Sequence, residues 1–305
     1  TILPFFPCSI LQLVFQNMMV ADGRPGLGLI TSLAGGLTNM ILDYLFIVPF
    51  NMGIAGAALA TGIGYCVPTA VGLVYFALNQ KGVRFVSPRT QWRDLLHSVT
   101  NGSSEMVSNL SISVTTFLFN IIMMRTLGQD GVAAITIVVY MDFLVSINLG
   151  YSMGVAPLIS YNYGAQDHEK LKKLFRLSIL LLTGFSVLVT VGALLFPGPL
   201  ASVFAQPGTD VYRFAVRGLL IYAVSYLFKG YNIFSSAMFT AFSDGKTSAI
   251  LSFLRTFLFL VACTLGMTAL FGADGVWLAA PAAELLALAV TVFCFAKYRR
   301  VYHYL

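Results

Sequence analysis

Asp22-Gly23-Arg24, followed by the apolar run Leu27 to Val48 and then Met52-Gly53-Ile54-Ala55-Gly56-Ala57-Ala58-Leu59-Ala60, is the stretch that decides the fold. It occurs a second time as Asp244-Gly245-Lys246, the run Thr247 to Phe271, and Phe271-Gly272-Ala273-Asp274-Gly275-Val276-Trp277-Leu278-Ala279. From turn aspartate to matching glycine the spacing is 34 residues in the first copy and 31 in the second. A repeated charged turn and small-residue opening in an apolar chain mark a membrane protein built from two related lobes. Only 21 residues precede the first turn, whereas about 150 residues of the same lobe precede the second. The expectation is therefore a chain lacking most of its first lobe.

Composition agrees. Hydrophobic residues make up 58% and charged residues 10%, where a soluble domain carries about a quarter charged. About 20 apolar residues span the ~30 Å hydrocarbon layer, and nine such stretches are predicted near 1–20, 27–48, 54–78, 95–125, 132–161, 173–196, 212–242, 247–270 and 275–296. The runs are too long and too rich in Leu, Ala and Val for barrel strands. The fold class is thus an all-α polytopic membrane protein. Residues 1–79 are the last three helices of a first lobe, residues 80–94 a polar cytoplasmic linker, and residues 95–305 a complete six-helix lobe with a short basic tail. An even number of helices per lobe relates the two copies by an axis along the membrane normal, with a midplane cavity between them.

Thirteen basic residues fall in loops of one side: Arg24, Lys81, Arg84, Arg89, Arg93, Lys170, Lys172, Lys173, Arg176, Lys246, Lys297, Arg299 and Arg300. Three, Arg125, Arg213 and Arg217, fall on the other. The basic side is assigned to the cytoplasm, with the C-terminus on it, in a bacterial inner membrane. The net charge of +6 is accounted for by topology, so no nucleic-acid partner is expected. No basic n-region or cleavage site opens the chain. Cys8, Cys66, Cys263 and Cys294 are scattered through the spans and read as apolar packing residues, with no disulfide or metal spacing.

Glu105, Asn109, Ser113, Thr116 and Asn120 are spaced four, four, three and four apart, along one helix face. Ser104, Ser108, Ser111 and Thr115 widen that stripe. Such a face cannot meet lipid, where each unpaired polar group costs several kcal/mol; with a carboxylate at its head, it is predicted to border a wet cavity. The helix near 212–242 repeats the pattern with Tyr222, Ser225, Lys229, Asn232, Ser236 and Thr240, and the one near 132–161 adds Asp142, Ser146, Gly150 and Gly154. Asp43 and Glu284 complete the intramembrane acids, Lys229 and Arg255 being the candidate partners. Arg255 and Glu284 are expected to form a structural ion pair.

Asn39-Met40-Ile41-Leu42-Asp43 with Gly53 to Thr61, Pro157-Leu158-Ile159-Ser160-Tyr161-Asn162-Tyr163-Gly164-Ala165, and Gly275-Val276-Trp277-Leu278-Ala279 with Pro281 and Glu284 carry a resemblance. Across essentially its whole length the chain resembles the multidrug and toxic compound extrusion (MATE) family, bacterial branch. The resemblance implies a two-lobed, twelve-helix antiporter, here with about nine helices and N-terminally incomplete, that exports amphipathic, often cationic, compounds in exchange for protons or sodium. No cofactor other than the coupling ion is implied, and the complete protein would be a monomer in the bilayer.

Glu105 sits where some members carry a cation-binding seventh-helix acid. Those members pair it with an Asp on the tenth helix, where this chain offers Lys229 and Asn232, and the first-helix Asp of other members has no position here. A carboxylate bordering hydrocarbon holds a proton or a metal cation, and a cationic drug competes for the same charge. On this reading Glu105 is the coupling residue, followed by Asp142 and Asp43. Asn109, Ser113, Thr116, Asn120, Asn232 and Ser236 line the substrate cavity, Lys229 borders it, and Tyr140 and Tyr222 offer cation–π faces.

A flippase for lipid-linked sugars, or an exporter of an endogenous metabolite, is the nearest alternative; it would favour a cationic cavity, for which Lys229 and Arg255 are few. An embedded enzyme is the remote one. The only histidines are His97, His168 and His303, near loops or ends, and neither a His-x-x-x-His pair nor a Gly-x-Ser-x-Gly elbow is present.

Overall fold

The computed structural model describes residues 2–80, 82–87 and 91–304, the side chains of Asp94, Asn101, Ser104, Glu105 and Ser108 excepted. The chain divides into two compact units, Thr1–Thr90 and Gln91–Leu305.

The first unit is three antiparallel helices, α1 (Phe6–Ala21), α2 (Pro25–Ile47) and α3 (Gly53–Leu78). Proline in the first turns of α1 and α2 supplies a pre-set φ where no backbone donor is needed. Gly23, at φ 78°, makes the turn between them. With lipid outside and no hydrophobic drive between helices, association depends on close packing. A Cβ at Gly56 would stand 2.9 Å from the Cβ atoms of Phe46 and Met52, so that glycine lets the α2–α3 hairpin close. The outward stripe Leu33, Leu37, Met40 and Tyr44 is exposed, as a lipid-facing surface requires.

The second unit contains α4 (Trp92–Tyr140), α5 (Ser146–Gly164), α6 (His168–Leu195), the short α7 (Pro197–Ser202), α8 (Asp210–Tyr222), α9 (Tyr226–Ala241), α10 (Gly245–Phe253), α11 (Leu260–Phe271) and α12 (Ala273–Tyr302). Eight helical segments among the described residues are long and apolar enough to cross a membrane. The longest, Asn109–Gly164, has 56 residues, about 84 Å of helix against a hydrocarbon layer of ~30 Å. Gly128, at φ 69° and ψ −153°, breaks it, so it makes two crossings, and the eight segments give the nine crossings read from the sequence. The polytopic all-α fold is what composition required.

The repeated turn performs the same task in both units. Asp22 accepts hydrogen bonds from the Tyr75 hydroxyl at 2.6 Å, the Asn79 amide at 3.1 Å and the Val83 N–H at 2.7 Å. Asp244 caps α10 through the Thr247 N–H at 3.1 Å and accepts from the Tyr302 hydroxyl at 2.9 Å. Each aspartate thus ties its turn to a tyrosine near the end of the hairpin's second helix. Gly275 corresponds to Gly56: a Cβ there would run into the Met267 carbonyl of α11.

The Tyr75 hydroxyl, followed by the Val83 N–H, holds the Asp22 carboxyl below the usual carboxylate range. A depressed folded value means that this tie contributes above the ordinary value of 3.8 and is lost as pH falls through the folded one. Acid loosening of the α1–α2 turn is therefore expected only below about pH 4. Hydrogen exchange at Val83, followed against pH, checks this; in Asp22→Asn the protection should be weaker and flat across the same range.

Candidate functional site

Four charged side chains of the second unit meet around a cavity of about 360 Å³. Each stands at an irregularity of its helix. Asp142 lies in a 3₁₀ segment, Met141–Val145, between α4 and α5. Tyr222 ends α8 just before the 3₁₀ turn Ala223–Ser225, and Lys229 follows in the first turn of α9. Arg255 belongs to a π-helical stretch, Leu254–Phe259, between α10 and α11. Glu284 follows Pro281 within α12. Tightened or widened turns re-aim side chains and recur at functional sites, which is how four unrelated helices converge here.

The charges are paired. Lys229 Nζ donates to Asp142 Oδ1 at 2.7 Å and to the Tyr222 hydroxyl at 3.1 Å, and that hydroxyl donates to Asp142 Oδ2 at 3.1 Å. The same ammonium lies 4.6 Å from the centre of the Tyr222 ring and 5.4 Å from that of Tyr226. Lys229 is deeply buried, its side chain 10% exposed, whereas Asp142 keeps 37% and faces the cavity. Across the chamber Arg255 Nε stands 3.4 Å from Glu284 Oε1, with exposures of 20% and 9%. That contact is an ion pair by distance alone, for Arg255 Nε makes no hydrogen bond. Among the described side chains of the chamber, two acids are matched by two bases.

The sequence-predicted residues distribute unevenly. Asn109, Thr116, Asp142, Tyr222, Lys229, Ser236, Arg255 and Glu284 all line the chamber. Glu105, with Ser104 and Ser108, lies outside the described side chains. Ser113 and Asn120 are not on the wall. At about 100° per residue they sit roughly 40–60° round from Thr116, on the flank away from Ile112, Thr115 and Phe119, which the chamber uses. Tyr140 is 62% exposed and stacks on Phe204 instead of facing the cavity. Tyr222 is present, but its ring face is taken by the protein's own ammonium and not left for a ligand.

Asn232 is buried behind the wall and fully used. Its amide donates to Glu284 Oε2 at 2.7 Å and to the Glu284 carbonyl at 3.0 Å, and its oxygen accepts from Thr291 at 2.9 Å. It braces Glu284 and is not a neutral ligand of the cavity. Ser236, though on the wall, shares close contacts with Ser248 and Ser252 of α10, at 2.9 and 2.8 Å, and so also glues two helices. Asp43 belongs to α2 of the first unit, half-buried, with Oδ1 unpartnered. Thr115, read from the sequence as widening the polar stripe, is on the wall; missed by sequence reasoning were Thr256 and Ser252 on the wall, and Tyr226 beneath Lys229. The spacing of Ser252 and Thr256, four apart and flanking Arg255, was the available signal. Among the described residues no cluster of three or more His, Cys, Asp or Glu side chains suits a metal ion.

Comparison with known proteins places the chain. The family model described as MatE matches residues 106–265. The chain is similar to the multidrug export protein MepA of Staphylococcus aureus (strain MSSA476), at 24% identity over 295 residues, covering 95% of this chain and 64% of that protein. It is similar to multidrug and toxin extrusion protein 1 of Pongo abelii, at 25% identity over 287 residues, covering 90% and 49%. A crystal structure of the Vibrio cholerae MATE transporter VcmN shares the fold, with a TM-score of 0.87 at 22% identity, covering 96% of this chain and 67% of that one. The chain thus spans less than two thirds of the length of these curated relatives.

Proposed function

Because the chain belongs to the MatE family of multidrug and toxic compound extrusion transporters, we propose that the protein is a secondary antiporter. It exports amphipathic, often cationic, compounds against an inward flow of H⁺ or Na⁺ by alternating access. The relatives named above are exporters and transporters, and the chain is a multi-pass membrane protein in contact with lipid. We place it in the bacterial cytoplasmic membrane with a cytoplasmic C-terminus, acting as a monomer without a nucleic-acid partner or any cofactor beyond the coupling ion.

The observation that carries the reading is the Asp142–Lys229 pair on the chamber wall, in which the acid is the more exposed partner and the base is deeply buried. Where each described acid is matched by a base, a cation gains a carboxylate only when that acid is released from its base. An incoming cation, whether ion or drug, therefore competes with Lys229 for Asp142, and two cations cannot hold that carboxylate together. This mutual exclusion is what an exchanger needs. Glu105 and Asp43 are further candidates for the coupling ion. Arg255 and Glu284 stiffen the opposite wall, and Asn109, Thr116 and Ser236 supply neutral polar contacts. Two bases matched by two acids lack the cationic excess that a carrier of phosphorylated lipid-linked sugars would use.

Reconstituted in proteoliposomes, the complete protein should move ethidium outward only when an opposing H⁺ or Na⁺ gradient is imposed. Ethidium movement indifferent to both gradients would overturn the exchange mechanism.

A further inference from the structure

Cys8 and Cys66, 58 residues apart in sequence, bring their sulfur atoms to 3.3 Å across the α1–α3 interface. The meeting is fixed on both sides. A Cβ at Gly62 would drive into the Phe5 ring, and one at Gly72 into the Phe15 ring, so α1 and α3 touch above and below the thiols. Thr69 adds a cross-helix hydrogen bond to the Cys8 carbonyl at 2.8 Å. Both cysteines are half-buried and free. Their depth is similar, about 20 Å along α1 from Ala21 and about 18 Å along α3 from Leu78, which puts them within the apolar layer. The expectation of scattered packing cysteines is thereby corrected for this pair, whereas Cys263 and Cys294 make no such contact.

We propose that Cys8 and Cys66 form a dithiol site for lipid-soluble trivalent arsenicals. With bonds of about 2.3 Å from a heavy element to sulfur, a 3.3 Å separation corresponds to about 90° at the bridging atom. Trivalent arsenic, pyramidal and bonded near right angles, fits that bite, whereas a tetrahedral ion would ask for a wider one and further ligands. Charge points the same way. An organoarsenic bridged by two sulfurs is neutral and has no need of the further ligands or water that a metal ion would bring into hydrocarbon. The step balances without an oxidant: an organoarsenic oxide and two thiols give two As–S bonds, the two S–H bonds break, and the oxide oxygen leaves as water. The bridge would clamp α1 to α3. This inference is independent of the transport reading.

Reduced protein in detergent, treated with phenylarsine oxide, should gain one phenylarsenic group per chain by intact mass and lose two of its four alkylatable thiols. The adduct should resist excess mercaptoethanol and be removed by dimercaptopropanol. In Cys8→Ser or Cys66→Ser the remaining single bond should make it at least about a hundredfold easier to displace with mercaptoethanol, the intramolecular advantage being lost. The double variant Cys263→Ser with Cys294→Ser should retain the adduct in full. A mercaptoethanol-resistant adduct in Cys8→Ser, or none in the natural sequence, would overturn the assignment.

Discussion

Glu284→Ala should cost the second unit about 3–5 kcal/mol of stability, the cost of removing one partner from a buried ion pair. Three groups depend on that carboxylate. Arg255 Nε, 3.4 Å from Oε1, has no hydrogen bond to fall back on, so its charge would be stranded in a wall only 20% exposed. The Asn232 amide would lose its 2.7 Å acceptor, and through Asn232 the bond to Thr291 would loosen. Glu284→Gln keeps an acceptor for Asn232 and should cost less. The double variant Glu284→Ala with Arg255→Met removes the stranded charge and should recover part of the loss, since the two side chains share one interaction. Thermal unfolding of the detergent-solubilised protein, followed by near-UV circular dichroism, measures all three. A loss for Glu284→Ala below 0.5 kcal/mol, the size of an ordinary surface change, would show that the pair contributes nothing to the fold.

Asp142→Asn should abolish ion-driven export while leaving the protein folded enough to purify. A unit charge about 4 Å away is worth about 4 kcal/mol at an effective dielectric of about 20, close to three decades of affinity. Part of this is already spent on Lys229, so a fall of about a hundredfold in cation affinity is the expected net effect. Asparagine retains the shape and a partner for the Tyr222 hydroxyl but leaves the ammonium of Lys229 without its counter-charge, 2.7 Å from a neutral oxygen. Lys229→Gln does the reverse: it frees Asp142, and should tighten cation binding while impairing its release. Opposite effects on affinity from the two variants would separate competition at this pair from simple unfolding.

Much of the fold was legible because bilayer physics is blunt. Nine long apolar runs, and a repeated Asp-Gly turn with its small-residue opening, leave few alternatives to paired helical lobes. The tyrosine ties to Asp22 and Asp244 were not legible, because Tyr75 and Tyr302 lie over 50 residues beyond their aspartates and belong to no local pattern. The site was half legible. Helical periodicity placed polar residues on the correct helices, and it named the four charges of the chamber. It assumed regular helices, however, and the side chains are aimed by a 3₁₀ segment at Asp142 and a π-helical stretch at Arg255, which alternation of residue types does not announce. Ser113 and Asn120 are on the right helix but on its far flank, because the chamber meets α4 along Ile112, Thr115 and Phe119, and Tyr140 stacks on Phe204 instead. Asn232 was misread because its polarity is consumed by Glu284 and Thr291, a pairing that depends on how α9 meets α12. Cys8 and Cys66 looked scattered because only the crossing of α1 on α3 brings them together.

The central claim is that coupling ion and cationic substrate exclude one another at Asp142. Equilibrium binding of ethidium to the purified protein, titrated with H⁺ and with Na⁺, tests it most directly. In the natural sequence one of the two ions should weaken ethidium binding in proportion to its concentration, and in Asp142→Asn that dependence should vanish along with most of the affinity. Undiminished competition in Asp142→Asn would contradict the claim.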